Sequence, residues 1–177
     1  MLRLLQDVQA EPTTLLDIGA GVGVLHHELL NRTARTATHV EAASAYVAAA
    51  RAEAARRGHG DRIRFVHGDA VALAGELEPA DLVTLDRVLC CYPDLEPLIQ
   101  VTTSKARRYY AASFPHERWY MHAHTAWQNF TRRRAGNPFR TYVHSVDRIQ
   151  DLLRAAGLRP LASRRTLAWE VTLHGRA

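Results

Sequence analysis

A chain of 177 residues, 47% of them hydrophobic, can bury one continuous core and is too short for two ordinary domains. No apolar run reaches the roughly 20 residues that span a bilayer. Residues 1–12 are too short and too charged for a secretory leader, so the expectation is a cytoplasmic protein. The formal charge of +5 hides an asymmetry: residues 101–177 carry 14 basic and 4 acidic side chains, whereas residues 1–100 carry 9 and 14.

The elements alternate along the chain. Short runs rich in Val, Ile, Leu, Tyr and Phe at 14–18, 36–41, 62–67, 81–86 and 108–114 read as five successive parallel strands. Between them, 22–32, 43–57 and 95–105 carry apolar residues at helical spacing or are rich in Ala, as crossover helices should be, with Gly58 placed to end the second. A helix at 146–156, closed by Gly157, precedes a terminal strand pair at 159–163 and 167–174 that closes the sheet with an antiparallel edge. The expected fold class is α/β, a three-layer sheet of about seven strands, mostly parallel with an antiparallel C-terminal strand. The expected organisation is a single domain over 1–177.

The first strand runs straight into glycine: Leu15-Leu16-Asp17-Ile18-Gly19-Ala20-Gly21-Val22-Gly23. Glycines at a strand end permit a tight turn and let a ligand approach the main chain where a Cβ would block it. Position 24 is Val, and the third glycine falls one residue early, at Gly23, so the spacing departs from the dinucleotide fingerprint. Three further acids close strands. Glu41 ends the second, 22 residues after Gly19, where α/β nucleotide binders place the carboxylate that accepts ribose hydroxyls. Asp69 and Ala70 follow the third, and Asp86 ends the fourth. Each has a plainer alternative: Glu41 could be a solvated strand-end charge and Asp69 a helix N-cap.

The Asp-x-Gly-x-Gly-x-Gly form, with Glu41, Asp69 and Asp86, resembles class I S-adenosylmethionine-dependent methyltransferases of Rossmann-like fold, closely over about residues 13–114. The segment 85–94 is also distantly similar to magnesium-protoporphyrin O-methyltransferases. The resemblance implies S-adenosylmethionine as donor, S-adenosylhomocysteine as product, and Asp17, Gly19, Gly21, Gly23, Glu41, Asp69, Ala70 and Asp86 around the cofactor. It also implies longer N-terminal helices than the dozen residues found before the first strand here. The lid is therefore expected to be reduced or supplied by a partner.

On the acceptor side the candidates are Asp86 and Tyr92, after the fourth strand, and His144, after the run Phe139-Arg140-Thr141-Tyr142-Val143. Tyr92 could instead pack on the next helix, and His144 could be a capping residue. A base is needed only if the acceptor must lose a proton. The resemblance implies that residues 115–145 form the substrate-side insertion. Within it, Trp119, Ala123, Ala126, Trp127 and Phe130 share one helix face and are expected to seal the core or roof a pocket. His122 and His124, two residues apart, do not share a face, and no metal site is expected. Cys90 and Cys91 are neighbours, unable to form an ordinary cross-link, and read as packing residues.

The leading function is therefore transfer of a methyl group to a small-molecule O- or N-acceptor, anionic or aromatic if Arg118, Arg140 and the neighbouring aromatics meet it. The basic C-terminal part supports a second reading, nucleic-acid methylation. Against it, position 86 opens Asp-Arg-Val-Leu, unlike the Asn/Asp-Pro-Pro-Tyr/Phe of base amino methylation, and 22 of the 23 basic residues are arginine. A non-catalytic cofactor-binding partner module is the third.

Overall fold

The computed structural model describes residues 1–176. In chain order the elements are α1 (Leu2–Asp7), β1 (Thr14–Ile18), α2 (Val24–Leu30), β2 (Thr36–Glu41), α3 (Ser44–Arg57), β3 (Ile63–His67), β4 (Ala80–Asp86) and α4 (Leu95–Ser104). They continue with β5 (Ala106–Pro115), α5 (Trp119–Arg134), α6 (Val146–Ala155), β6 (Leu158–Arg165) and β7 (Trp169–Arg176). The seven strands form one sheet in the order β3-β2-β1-β4-β5-β7-β6. The five expected strands pair in parallel, and β7 runs antiparallel to both β5 and β6. The antiparallel member is thus inside the sheet, and the edge strand is β6.

Alternation along the strands splits the apolar residues between two layers. On one face, Leu15 of β1 and Leu82 of β4 meet Leu4 and Leu5 of α1, Leu29 and Leu30 of α2 and Ala54 of α3. On the other, Leu16, Ile18, Val83 and Leu85 meet Leu98 and Ile99 of α4 and Ile149 and Leu153 of α6. The residues before β1 form a helix whose buried Leu4 and Leu5 belong to the core, where a lid remnant was expected.

Local chemistry moves several boundaries. Gly23 is left-handed, with φ of 87°, so α2 begins only at Val24. Residues 60–62 form a short 3-10 turn and β3 starts after them. The Arg62 guanidinium donates to the carbonyls of Leu30 and Ala34 at 2.8 and 2.7 Å, tying the end of α2 to the turn before β3. β6 outruns its expected range at both ends and β7 lies two residues further on than expected, because the two share one ladder from Leu158–Arg176 to Arg165–Glu170.

One expectation is overturned. Trp119, Ala123, Ala126, Trp127 and Phe130 do share one face of α5, but all five are exposed. The face turned to the body of the protein carries Tyr120, Thr125, Gln128, Asn129 and Arg132, three of which have partners there. Asn129 donates to the Thr141 carbonyl at 2.7 Å, Arg132 to the Thr141 hydroxyl at 3.0 Å, and Tyr120 to the Leu167 carbonyl at 2.9 Å.

Candidate functional site

From β1 the chain proceeds outward to β2 and β3, then returns to β4 on the other side of β1. Strand order reverses there, and the carboxyl ends of β1 and β4 diverge into a crevice. A cavity of about 750 Å³ occupies it, lined from β1 by Ile18 and Gly19, from β2 by Glu41, from the β3 loop by Asp69 and Ala70, and beyond β4 by Arg87 and Tyr92. The volume falls in the range of about 300–1,000 Å³ typical of small-ligand sites.

The glycine turn is shaped from beneath. The Asp17 carboxylate, only 2% exposed, accepts from the Thr84 hydroxyl at 2.6 Å and from His26 Nδ1 at 3.1 Å. A Cβ on Gly23 would fall inside the His26 ring, and one on Gly19 inside the Val88 methyl, and both glycines have positive φ. Asp17 therefore holds the turn and faces away from the cavity. Gly21, with φ of 56°, has open space where a Cβ would point.

Glu41 links the turn to the next strand. One carboxylate oxygen accepts from the Gly21 N–H at 3.0 Å and the other from the Ala43 N–H at 2.9 Å. Each oxygen keeps acceptor capacity for a ligand hydroxyl. Asp69 accepts from the N–H groups of Val71 and Ala72 at 2.9 and 3.0 Å through one oxygen, as a cap does, and from the Tyr92 hydroxyl through the other. Ala70 lies at the cavity wall, its N–H beside the Tyr92 phenol oxygen. Burial, and then Asp69, push the Tyr92 phenol well above its ordinary pKa, so Tyr92 stays protonated and donates.

Asp86 lies outside the lining of this cavity, at the β4–β5 seam, where it accepts from the Ser113 hydroxyl. Ser113 in turn accepts from the Arg87 N–H at 2.8 Å. His144 Nε2 donates to the Tyr92 carbonyl at 2.8 Å, which leaves Nδ1 as its acceptor. Its ring is 5.9 Å from that of Tyr142. Arg118 and Arg140 line neither this cavity nor the one described next, and Arg140 donates to the Asn137 and Phe139 carbonyls of its own loop.

A second cavity of about 510 Å³ lies under α5, with Tyr120, Met121 and His124 above and Tyr142, Leu167 and Trp169 around it. Cys90 lines this cavity and Cys91 the first, so one short turn forms the shared wall. Both thiols donate to the Arg87 carbonyl at 3.4 Å.

Two features escaped the reading of the sequence. Arg87 adopts φ of 61°, lines the first cavity and carries its guanidinium 5.0 Å from the Trp169 ring centre. No residue pattern signals this. Behind the glycine turn, His26, His27, His39 and His59 are all buried, with ring centres 4.6–5.3 Å apart from neighbour to neighbour. Burial, followed by the neighbouring His26, pushes His27 and His39 down to about 4. The adjacent pair His26-His27 and the inward position of His39 in β2 were available as signals.

Sheet order and site together define a class: an α/β domain that holds a nucleotide-derived cofactor at the carboxyl ends of its strands. Residues 15–108, more than half of the chain, match the family model described as a methyltransferase domain, and the chain belongs to that family. S-adenosylmethionine is the methyl donor of such enzymes. The spare Glu41 lone pairs and the open glycine turn, with Asp69 and Ala70 in the same wall, fit its adenosine part. No curated protein is recognisably similar in sequence.

Solved structures share the fold. The magnesium protoporphyrin IX methyltransferase of Synechocystis PCC 6803 with bound SAH is 21% identical, with a TM-score of 0.76 over 99% of this chain and 80% of that one. An O-methyltransferase family protein from Burkholderia thailandensis is 19% identical, with a TM-score of 0.77 over 100% of this chain and 57% of that one. An O-methyltransferase family 2 protein from Planctomyces limnophilus, in complex with apigenin, is 16% identical, with a TM-score of 0.74 over 93% of this chain and 51% of that one.

Proposed function

We propose that this protein transfers the methyl group of S-adenosylmethionine to an oxygen or nitrogen of a small aromatic acceptor. The observation that carries the acceptor half is the second cavity. It adjoins the cofactor cavity through the Cys90–Cys91 turn and is walled by Tyr120, Met121, Tyr142 and Trp169 together with the polar His124 and Gln128. Such walls suit a flat apolar body with a few polar atoms. They also favour an aromatic acceptor over an anionic one, since neither arginine expected to meet an anion lines the cavity. Residues 115–145 supply much of the acceptor side.

When bound, the cofactor supplies a methyl group already activated by its sulfonium. The protein's part is then positioning, which can contribute up to about 7–11 kcal/mol. Glu41 accepts the ribose hydroxyls, Asp69 and the Ala70 N–H meet the adenine edge, and the turn from Gly19 to Gly23 lets the ligand run along bare main chain. Asp17 supports that turn from below. Asp86 and Ser113 fix the Arg87 turn between the two cavities. Tyr92, held in its protonated form, orients Asp69. His144, expected on the acceptor side, lines neither cavity, and His124 is the histidine in the wall of the second one, where a hydroxyl acceptor would give up its proton.

Calorimetric titration with S-adenosylhomocysteine and, separately, NAD tests the donor half, and tighter binding of NAD would overturn it. For the acceptor half, purified protein is incubated with methyl-labelled S-adenosylmethionine and cell extract, and the label is sorted into metabolite, RNA and protein fractions. Label in the metabolite fraction is expected. Label confined to RNA would replace the acceptor assignment, and absence of label everywhere would favour a non-catalytic module.

A further inference from the structure

The apolar stripe of α5 has no partner within the chain. Trp119 is 81% exposed, Trp127 65% and Phe130 52%, with exposed Ala123 and Ala126 completing the row. Leu167, 88% exposed, adjoins the start of the stripe, because the Tyr120 hydroxyl is bonded to its carbonyl at 2.9 Å. Arg133 and Arg134 stand on the same outward face, and the Arg134 guanidinium lies 5.9 Å from the Phe130 ring centre. α5 contains no acidic residue. The nearest acid before it, Glu117, is engaged with the Val146 N–H at 3.2 Å.

We infer that this face docks on an anionic phospholipid bilayer, with the helix lying in the plane of the surface. Aromatic side chains with one wet edge and arginines with long apolar stems are the groups that settle at a headgroup boundary, and cations beside them are drawn to anionic lipid. Charge argues against the competing occupants. Sixteen residues give a helix about 24 Å long and 10–12 Å wide. A second copy packed in parallel would set Arg133 and Arg134 against their own kind. A nucleic-acid groove would need arginines along the whole helix, whereas here they cluster at its last turn behind an unbroken apolar row. No helix of the described residues is long and apolar enough to cross a membrane, so the contact is one of surface.

The inward side of the same helix roofs the second cavity through Tyr120, Met121, His124 and Gln128. If that cavity holds the acceptor, as proposed above, docking brings its mouth to the lipid boundary and an apolar acceptor can enter without crossing water. The surface claim needs neither acceptor nor turnover, so the two readings fail separately.

The test is co-sedimentation with vesicles of phosphatidylglycerol and phosphatidylcholine, mixed equally, and of phosphatidylcholine alone, with tryptophan emission recorded in parallel. Binding and a blue shift are expected on the anionic vesicles only. Arg133→Gln with Arg134→Gln should lower the partition coefficient about 25-fold, from roughly fivefold per cation. Trp127→Ser with Phe130→Ser should remove both binding and shift. All four side chains face water, so unchanged S-adenosylhomocysteine affinity verifies that the variants fold. The inference is overturned if the native protein ignores anionic vesicles or the serine variant binds like it. It is equally overturned if the stripe instead drives self-association or RNA binding, seen by sedimentation velocity and gel shift.

Discussion

Replacing His39 by leucine should flatten the acid sensitivity of the fold. His39 is buried between His26 and Phe65, with ring centres 5.3 and 5.2 Å away, and neither of its ring nitrogens has a hydrogen-bond partner. Burial, reinforced by His26 and Arg51 and opposed by Asp17 and Glu41, holds its pKa down to about 4 against an ordinary 6.5. The unfolded chain therefore takes up a proton that the folded chain refuses. Stability from this group is intact above pH 6.5 and is lost as pH falls towards 4. At pH 5 the loss is about 2 kcal/mol, with a similar contribution from His27. Leucine has nearly the same volume and leaves no polar atom unpaired, so stability at pH 7.5 should hold or rise slightly. Urea unfolding at pH 7.5 and 5.0 measures both. The variant should lose about 2 kcal/mol less than the native protein between the two pH values. Equal losses would refute the assignment of a buried, neutral His39.

Gly19→Ala should weaken S-adenosylhomocysteine binding and lower the melting temperature, because the new methyl meets Val88 and φ is +61°; adding Val88→Ala should recover part of both, and no recovery would mean that backbone strain alone is at work. Glu41→Gln should raise the dissociation constant of S-adenosylhomocysteine about ten- to hundredfold, the worth of roughly 1.5–3 kcal/mol for hydrogen bonds to a charged acceptor. An unchanged constant in that titration would remove Glu41 from the ribose. Gly21→Arg should abolish binding and cost about 1–2 kcal/mol of stability, since open space surrounds the position but φ is +56°; a fully binding variant would move the cofactor elsewhere.

The cofactor half was legible because its signals are local. Leu15, Leu16 and Ile18 form an apolar strand end interrupted only by the buried Asp17, and Gly19, Gly21 and Gly23 sit where positive φ is required, so strand, turn and helix follow from neighbouring residues alone. Glu41 and Asp69 could be brought to the same crevice once the strands were counted. The α5 stripe was not legible in the same way. Helical periodicity groups Trp119, Trp127 and Phe130 on one face but says nothing of which side meets the protein. That is decided by Asn129 and Arg132 finding partners at Thr141, a contact across a loop. Arg87 was invisible for another reason: its unusual backbone is imposed by Ser113 on the next strand and by the two thiols that grip its carbonyl. The four histidines were passed over because histidine is counted as polar, although here it fills the space under a turn.

The placement of β7 has a consequence for how the chain assembles. β6 emerges from synthesis first yet can join the sheet only through β7, its sole ladder neighbour. Until that later strand has slotted in against β5, a growing polypeptide holds five strands with an open flank at β5, while β6 waits unpaired. Closing the right half of the molecule is accordingly a late, long-range event, and the interval before it is when the chain is most prone to pair with a neighbour.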